Sequence, residues 1–588
     1  MPKTPETPET PETSGTSKTP GTSKTPGTPQ SPQSPKARET GKAKETGETR
    51  ETRPAPSTSA WAPLALPVFR ALWIAQFVSG VGTWMQTIGA QWLLLGHGAA
   101  LVTLVQTAST LPMVLLALPS GVLADRFDRR RLLVVAQFAM GAVAAALAVL
   151  AFADALGPAS LLALTFLLGC GTALMAPSWQ AVQPELVARE QLAQAAALGA
   201  VNINLARAIG PAVGGVLVAA AGVGWTFAFN AVSYLGIVVV LLLWKRPREA
   251  AEVEPERFFS AVLAARRYVW NAPGVRRVLL RTALFVPGAA ALWALLPLIA
   301  ADSLGLGSGG YGALLAVVGA GAVVGALLLP ALRKVLGANG ILAGGAVLVA
   351  VTLAVLATVR VPWVAALALL PAGVAWIAVL SVLNAAVQIR LPGWVRARGL
   401  AVYLLVFQGG QALTAPLWGG LAQGTGLRVT LLAAGALLLL AAATVPLLPL
   451  HDAAHIDPSP SNHWPAPPVV YEPGPDDGPV LVSIVYRVDP ADRAAFTAAM
   501  ARVARSRRRT GALTWGLYED AGERGRFIEN YLVGSWAEHL AQHHTRTTVT
   551  DRRAEEAARA FLLPGTRPET THALDATTGV PADAERVP

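Results

Sequence analysis

The residue that most needs a chemical explanation is Arg207, which stands in the middle of the apolar stretch 193–221. A guanidinium left unpaired in hydrocarbon costs at least about 2.5 kcal/mol, so such a residue turns toward a cavity or a partner. Asn204, Arg207, Pro211 and Gly214 follow one another at spacings of three, four and three, which puts them on one helical face. Arg207 there either holds an anionic group of a solute or pairs with a carboxylate such as Glu185. Gln180, Gln183, Asn384 and Gln388 recur deep in other apolar stretches and, with Trp84, Trp293 and Trp376, can line an amphipathic path. The same side chains can also serve as interhelical hydrogen bonds.

Catalytic chemistry finds little here. Few acidic residues lie deep in the apolar stretches; Asp125, Glu185 and Asp302 stand at their ends. The single cysteine, Cys170, has no partner for a disulfide or a thiolate cluster. No catalytic residue, metal or cofactor is implied.

The elements that must position these residues are membrane spans. With 53% hydrophobic and only 14% charged residues in 588, the chain is too apolar for an ordinary soluble protein. Twelve apolar runs of about 20 residues, each long enough to cross a ~30 Å hydrocarbon core, are expected near 69–95, 101–124, 132–153, 159–183, 193–221, 225–244, 279–301, 310–332, 340–359, 362–389, 398–422 and 427–448. The net charge of +11 comes from basic clusters in the breaks, among them Arg129–Arg131, Lys245–Arg248, Arg333–Lys334 and Arg390–Arg398, rather than from a nucleic-acid surface. The positive-inside rule then places both termini in the cytoplasm of a cell with this chain in its inner membrane.

The two halves repeat. Ala181-Val182-Gln183 returns as Ala386-Val387-Gln388 and Gly210-Pro211 returns as Ala415-Pro416, both offset by 205 residues. Two blocks at one offset favour duplication into two six-helix bundles of the same orientation. The expected domains are a Thr/Pro/Glu/Lys-rich disordered tail (1–60), an N-terminal bundle (61–244), a linker (245–277), a C-terminal bundle (278–450), a Pro-rich linker (451–478), a small α+β unit (479–576) and a tail (577–588). Within the first linker, Phe258 to Trp270 reads as an amphipathic helix at the membrane surface.

In the α+β unit, strands at 480–488, 512–518, 526–534 and 571–574 alternate with helices at 491–506 and 536–561, a βαββαβ order that predicts a ferredoxin-like sheet. His539 and His543 have the i,i+4 spacing a metal could use, but with no third ligand evident they read, with His544, as solvated helix residues. Arg502, Arg505, Arg507, Arg508 and Arg509 read as a solvated or membrane-facing basic face.

Two motifs carry a resemblance to a known family. Gly121-Val122-Leu123-Ala124-Asp125-Arg126-Phe127-Asp128-Arg129-Arg130-Arg131, after the second span, is similar to the loop between the second and third helices of the major facilitator superfamily. The resemblance implies a gating latch made of Gly121, Asp125, Arg126, Arg129 and Arg130, with Asp128 departing from the family's usual glycine. Gly210-Pro211-Ala212-Val213-Gly214-Gly215 is similar to the Gly-Pro-x-x-Gly-Gly signature of exporters in that superfamily, including its enterobactin-exporter-like branch. A proline with flanking glycines lets a helix bend and slide on its partner.

The pairing of such a membrane region with a ferredoxin-like domain resembles bacterial transmembrane secretion effectors. The C-terminal unit itself resembles antibiotic-biosynthesis monooxygenases, whose dimeric α/β barrel implies a homodimer through this domain. The expectation is a proton-coupled exporter of a drug, siderophore or other secondary metabolite, working by alternating access in the lipid bilayer. A membrane-anchored monooxygenase-like enzyme and a regulatory C-terminal module are the alternatives.

Overall fold

The computed structural model describes residues 59, 61–244, 258–451, 456–467, 469–471 and 473–576, with a number of side chains, those of Asp125, Arg126 and Gln183 among them, outside the description. The expected tails and residues 245–257 of the first linker lie outside it as well.

Each long apolar stretch forms a helix, the one open-ended way for a chain to satisfy its backbone in lipid. The N-terminal half holds α1 (Pro67–Leu93), α2 (Ala99–Arg126), α3 (Arg129–Phe152), α4 (Pro158–Leu186), α5 (Leu192–Ala221) and α6 (Val223–Leu243). After the amphipathic helix α7 (Phe258–Asn271) come α8 (Pro273–Leu298), α9 (Ser308–Thr358), α10 (Pro362–Arg390), α11 (Gly393–Thr425) and α12 (Leu427–Ala443). Nine of these helices are long and apolar enough to cross a membrane by length and composition, and α1 and the shorter α12 pack among them.

The helix α9 contains two spans. Gly325 and Gly345 both pack on the Val374–Val379 turns of α10, yet twenty residues of straight helix would part them by about 30 Å. The chain therefore reverses between them, at Gly337, whose φ of 62° suits glycine alone. Counting α9 as two, the described residues hold twelve such helical segments, six before α7 and six after it, at the places where the apolar runs predict them.

The ends of the bundle differ in charge. Arg129, Arg130 and Arg131 open α3 at one end, called here the basic end. Arg129 Nη1 lies 3.2 Å from Glu185 Oε1, and Arg130 donates to the carbonyls of Leu241 and Leu242 at the close of α6. Asp128 caps α3 by accepting from the Arg131 amide at 2.8 Å, which gives the family's usual glycine position a different use.

The C-terminal domain is a four-stranded antiparallel sheet of β1 (Val480–Arg487), β2 (Thr514–Glu519), β3 (Arg526–Val533) and β4 (Glu569–Leu574) in the order β2-β3-β1-β4, the ferredoxin-like arrangement. The helix α13 (Arg493–Thr510) packs Phe496, Met500 and Val503 on Val480, Val482 and Phe527 of the sheet. The helix expected over 536–561 is broken into α14 (Trp536–Ala541), a π turn (Gln542–Arg546) and α15 (Val549–Arg559). The cause is local: Thr548 and Asp551 form a reciprocal capping box that starts a new helix.

This domain docks on the basic end of the bundle. Arg267 of α7 donates to Gly511 O at 3.4 Å and lies 3.8 Å from Glu538. Arg509 sits over Tyr268 and Arg546 over Trp394, at 5.9 and 5.2 Å from the ring centroids. Tyr268 Oη, in turn, donates to Arg390 O at 3.0 Å, so α7 is held between domain and bundle.

Candidate functional site

The two halves meet along α5 with α9 and α2 with α11. At Gly215 a Cβ would stand 2.6 Å from Ser308 O and 2.9 Å from Gly312 Cα, and at Gly419 it would stand 2.0 Å from Thr103 Oγ1. Further along, Gly319 meets Ala208, and Thr107 donates to Ala412 O at 2.8 Å. These approaches run from the end opposite the basic cluster to mid-membrane. Toward the basic end the same helices part: Gly121 of α2 and Gly199 of α5 have nothing within 4 Å of an added Cβ, and Ile203 of α5 and Leu327 of α9 are exposed. The halves are closed at one end and separate toward the other.

Where contact gives way to separation, aromatic rings gather. Trp84 of α1 faces Trp293 of α8 at 6.3 Å between centroids, Trp293 faces Trp376 of α10 at 5.4 Å, and Trp376 faces Phe407 of α11 at 6.1 Å. Arg207, at the middle of α5, places its Cζ 5.6 Å from the Trp84 ring centroid. Its Nε is buried without a hydrogen-bond acceptor, and so is Trp293 Nε1, among the described residues. Two buried donors at one aromatic-walled junction are costly to leave unmade, at about 1–3 kcal/mol each and more for the charged one. A solute offering acceptor oxygens would satisfy both.

The other sequence candidates separate. Glu185 pairs with Arg129 at the basic end, which excludes it as the Arg207 partner. Asn204 donates to Ala200 O of its own helix, Gln388 donates to Asn384 Oδ1 at 2.6 Å, Gln180 is exposed, and none of them hydrogen-bonds to Arg207. Gly210 and Gly214 serve close packing on Trp84 and Met85 of α1, whereas Gly215 serves the contact between halves, with Pro211 O against Gly312. Of the latch candidates, Gly121 has open space around it, and Arg129 and Arg130 bind within their own half. Asp302, Arg360 and Arg428 line a cavity of about 400 Å³ at the closed end, which sequence reading left unassigned.

The C-terminal domain departs from two expectations. Arg507 is not part of a solvated face: it is 2% exposed, 3.0 Å from Glu529 and 2.6 Å from Glu555, and Trp464 stacks on it at 4.7 Å. Burial alone would raise the Glu555 carboxyl, but Arg507, with His463 and Trp464 donating to it, brings it down to about 2. Arg509 pairs with Asp551, while Arg502, Arg505 and Arg508 are exposed as expected. Nor are His539 and His543 solvated; both are buried, and only His544 of the three is exposed. Burial, reinforced by His543 and His572 around His539 and by His572 and His544 around His543, pushes them down to about 3 and about 4, so both are neutral near pH 7.

Residues 58–579 match the transmembrane secretion effector family. The chain belongs to that family. Among relatives of this secretion effector, the enterobactin exporter EntS of Salmonella typhi is 31% identical over 268 residues, 44% of this chain and 63% of the relative. The staphyloferrin A transporter of Staphylococcus aureus is 30% identical over 189 residues, 31% of this chain and 48% of the relative. The match thus spans less than two thirds of the length of these relatives. Among solved structures, a point mutant of the nucleoside transporter NupG superposes with a TM-score of 0.56 at 12% identity, over 65% of this chain and 99% of that one. A bacterial homologue of the lysosomal transporter Spinster, inward-facing and occupied, gives 0.53 at 17% identity, over 66% and 97%. The membrane region therefore has the major facilitator fold.

Proposed function

We propose that the chain is a secondary exporter that carries a small solute rich in acceptor oxygens, by alternating access, from the basic end to the closed end of the bundle. The observation that carries this reading is Arg207, a mid-membrane cation without an acceptor among the described residues, packed on Trp84, which also faces Trp293, whose indole N–H is likewise unpaired among those residues. The aromatic wall of Trp84, Trp293, Trp376 and Phe407 suits a solute with an aromatic or apolar body. Catecholate siderophores have that combination, and relatives named for enterobactin and staphyloferrin A support siderophores as the first class to test. The basic end is assigned to the cytoplasm by the positive-inside rule, which makes the structure inward-open. Protons are the coupling ion that the family resemblance supports.

The test is transport into everted vesicles or liposomes loaded with a pH gradient, comparing wild type with Arg207→Ala for catecholate and carboxylate siderophores. Gradient-dependent accumulation, lost in Arg207→Ala, is expected. Accumulation that ignores the gradient would remove the proton coupling, and accumulation unchanged in Arg207→Ala would remove Arg207 from the path.

A further inference from the structure

The C-terminal domain brings together three histidines that the chain keeps apart. His539 lies on α14, His543 on the π turn that follows, and His572 on β4. One ligand nitrogen from each lies within 4.8 Å of the others. The rings of His543 and His572 each stand 4.7 Å from that of His539, centroid to centroid.

The burial of these groups points to a ligand. His539 is 0% exposed and His543 8% exposed, yet neither ring nitrogen of His539 nor Nδ1 of His543 has a hydrogen-bond partner among the described residues. Orphaned buried nitrogens each forgo roughly 1–3 kcal/mol, and a core histidine normally avoids this by bonding to a carbonyl or a carboxylate. Here one nitrogen of His539 and one of His543 converge instead with one of His572.

We propose that His539, His543 and His572 form a binding site for one divalent transition-metal ion. Metal–imidazole bonds of about 2.0–2.1 Å set the ligand nitrogens of a tetrahedral site about 3.4 Å apart, so side-chain movements of about 1 Å close the present spacing onto an ion. A set of three neutral imidazoles without thiolate or carboxylate suits Zn²⁺, Cu²⁺, Ni²⁺ or Co²⁺ and disfavours Mg²⁺ and Ca²⁺. Three protein ligands leave a coordination position open to water or to a donor from a solute.

Trp536 packs on His539 at 5.3 Å and Trp464 on His543 at 4.9 Å, which fixes the rings in an apolar shell. Behind Trp464, Arg507 pairs with Glu529 and Glu555, and Arg559 lies 3.6 Å from Glu555. An ion would also tie β4, an edge strand, to the turn between α14 and α15, joining the two ends of the domain.

The test uses full-length protein purified in detergent with an affinity tag free of histidine, stripped with EDTA and titrated with Zn²⁺ and with Co²⁺. One equivalent per chain is expected, with visible Co²⁺ bands characteristic of four-coordinate nitrogen ligation. His572→Ala, on an edge strand, is expected to weaken binding at least 100-fold with the far-ultraviolet dichroism unchanged, and His539→Ala likewise. His544→Ala, an exposed neighbour, is expected to bind as wild type does. Octahedral Co²⁺ spectra, sub-stoichiometric binding, or binding that survives both His539→Ala and His572→Ala would overturn the site.

Discussion

The closed end of the bundle rests on glycines that have no room to grow, and this gives a handle on the conformational balance. Gly215→Ala would place a Cβ 2.6 Å from Ser308 O and 2.9 Å from Gly312 Cα, both backbone atoms that no side-chain rotation can move aside. Overpacking of this kind costs about 1–3 kcal/mol, and it falls on the state in which α5 and α9 touch. Under alternating access the balance between that state and its opposite shifts by about fivefold to a hundredfold. In a background carrying Cys170→Ser, spin labels at Ile203→Cys and Leu327→Cys, exposed on opposite halves toward the basic end, report the change as a shorter distance population. Gly199→Ala, on the same helix with nothing within 4 Å, is the control and should leave the distances alone. Gly419→Ala should act like Gly215→Ala, and Gly420→Ala like the control, because the first meets Thr103 and Ala99 and the second meets nothing. If Gly215→Ala and Gly199→Ala give the same distance distribution, the closed contact does not govern the balance and the rocking picture fails.

Three further outcomes are expected. Trp293→Phe removes a buried indole N–H that has no acceptor among the described residues, so it should raise the melting temperature while lowering solute affinity about tenfold; a variant that lost both would place the N–H in a structural role. Glu555 has its folded value near 2 against an ordinary 4.5, so its stabilisation is complete above about pH 4.5 and is lost as pH falls toward 2. The shift corresponds to about 3 kcal/mol, and hydrogen exchange in β1 and β3 should show that pH dependence flattened in Glu555→Gln. Arg267→Ala with Trp394→Ala removes contacts between domain and bundle worth roughly 0.5–1 kcal/mol each, so proteolysis between α12 and β1 should accelerate severalfold while the sheet stays protected; an unchanged rate would show that docking rests elsewhere.

What the sequence made legible is the part of the structure dictated locally. Spans follow from run length, the reversal in α9 from a polar break that contains Gly337, and the strands of the C-terminal domain from alternation. The amphipathic helix α7 was readable for the same reason, since its polar and apolar faces repeat within fourteen residues. The errors share a different origin. Arg507 sits in a run of arginines and has the look of a solvated face; its partners Glu529 and Glu555 are 22 and 48 residues away, and only the fold brings them together. His572 stands 29 residues beyond His543 on a separate strand, so no spacing rule joins it to the other two. The break at Thr548 was locally encoded, by a capping box within an otherwise helical pattern, and could have been found.

Arg207 stands out when it is set beside the other arginines of the bundle. Arg130 spends its guanidinium on the carbonyls of Leu241 and Leu242, and Arg281, 3% exposed, spends its own on the carbonyls of Ala441, Thr444 and Leu448. Arg390 does the same with Ala386 and His451. These carbonyls belong to helix ends or to the residues just beyond them, where the backbone has acceptors left over and the helix dipole favours a cation. Arg207 is at mid-helix, where the neighbouring carbonyls are taken up by the helix itself and only its own is freed, by Pro211, and the nearest carboxylate that sequence suggested is taken by Arg129. Among the described residues the fold supplies an internal acceptor for each of the other three and none for Arg207, which is what the proposed role in binding solute requires.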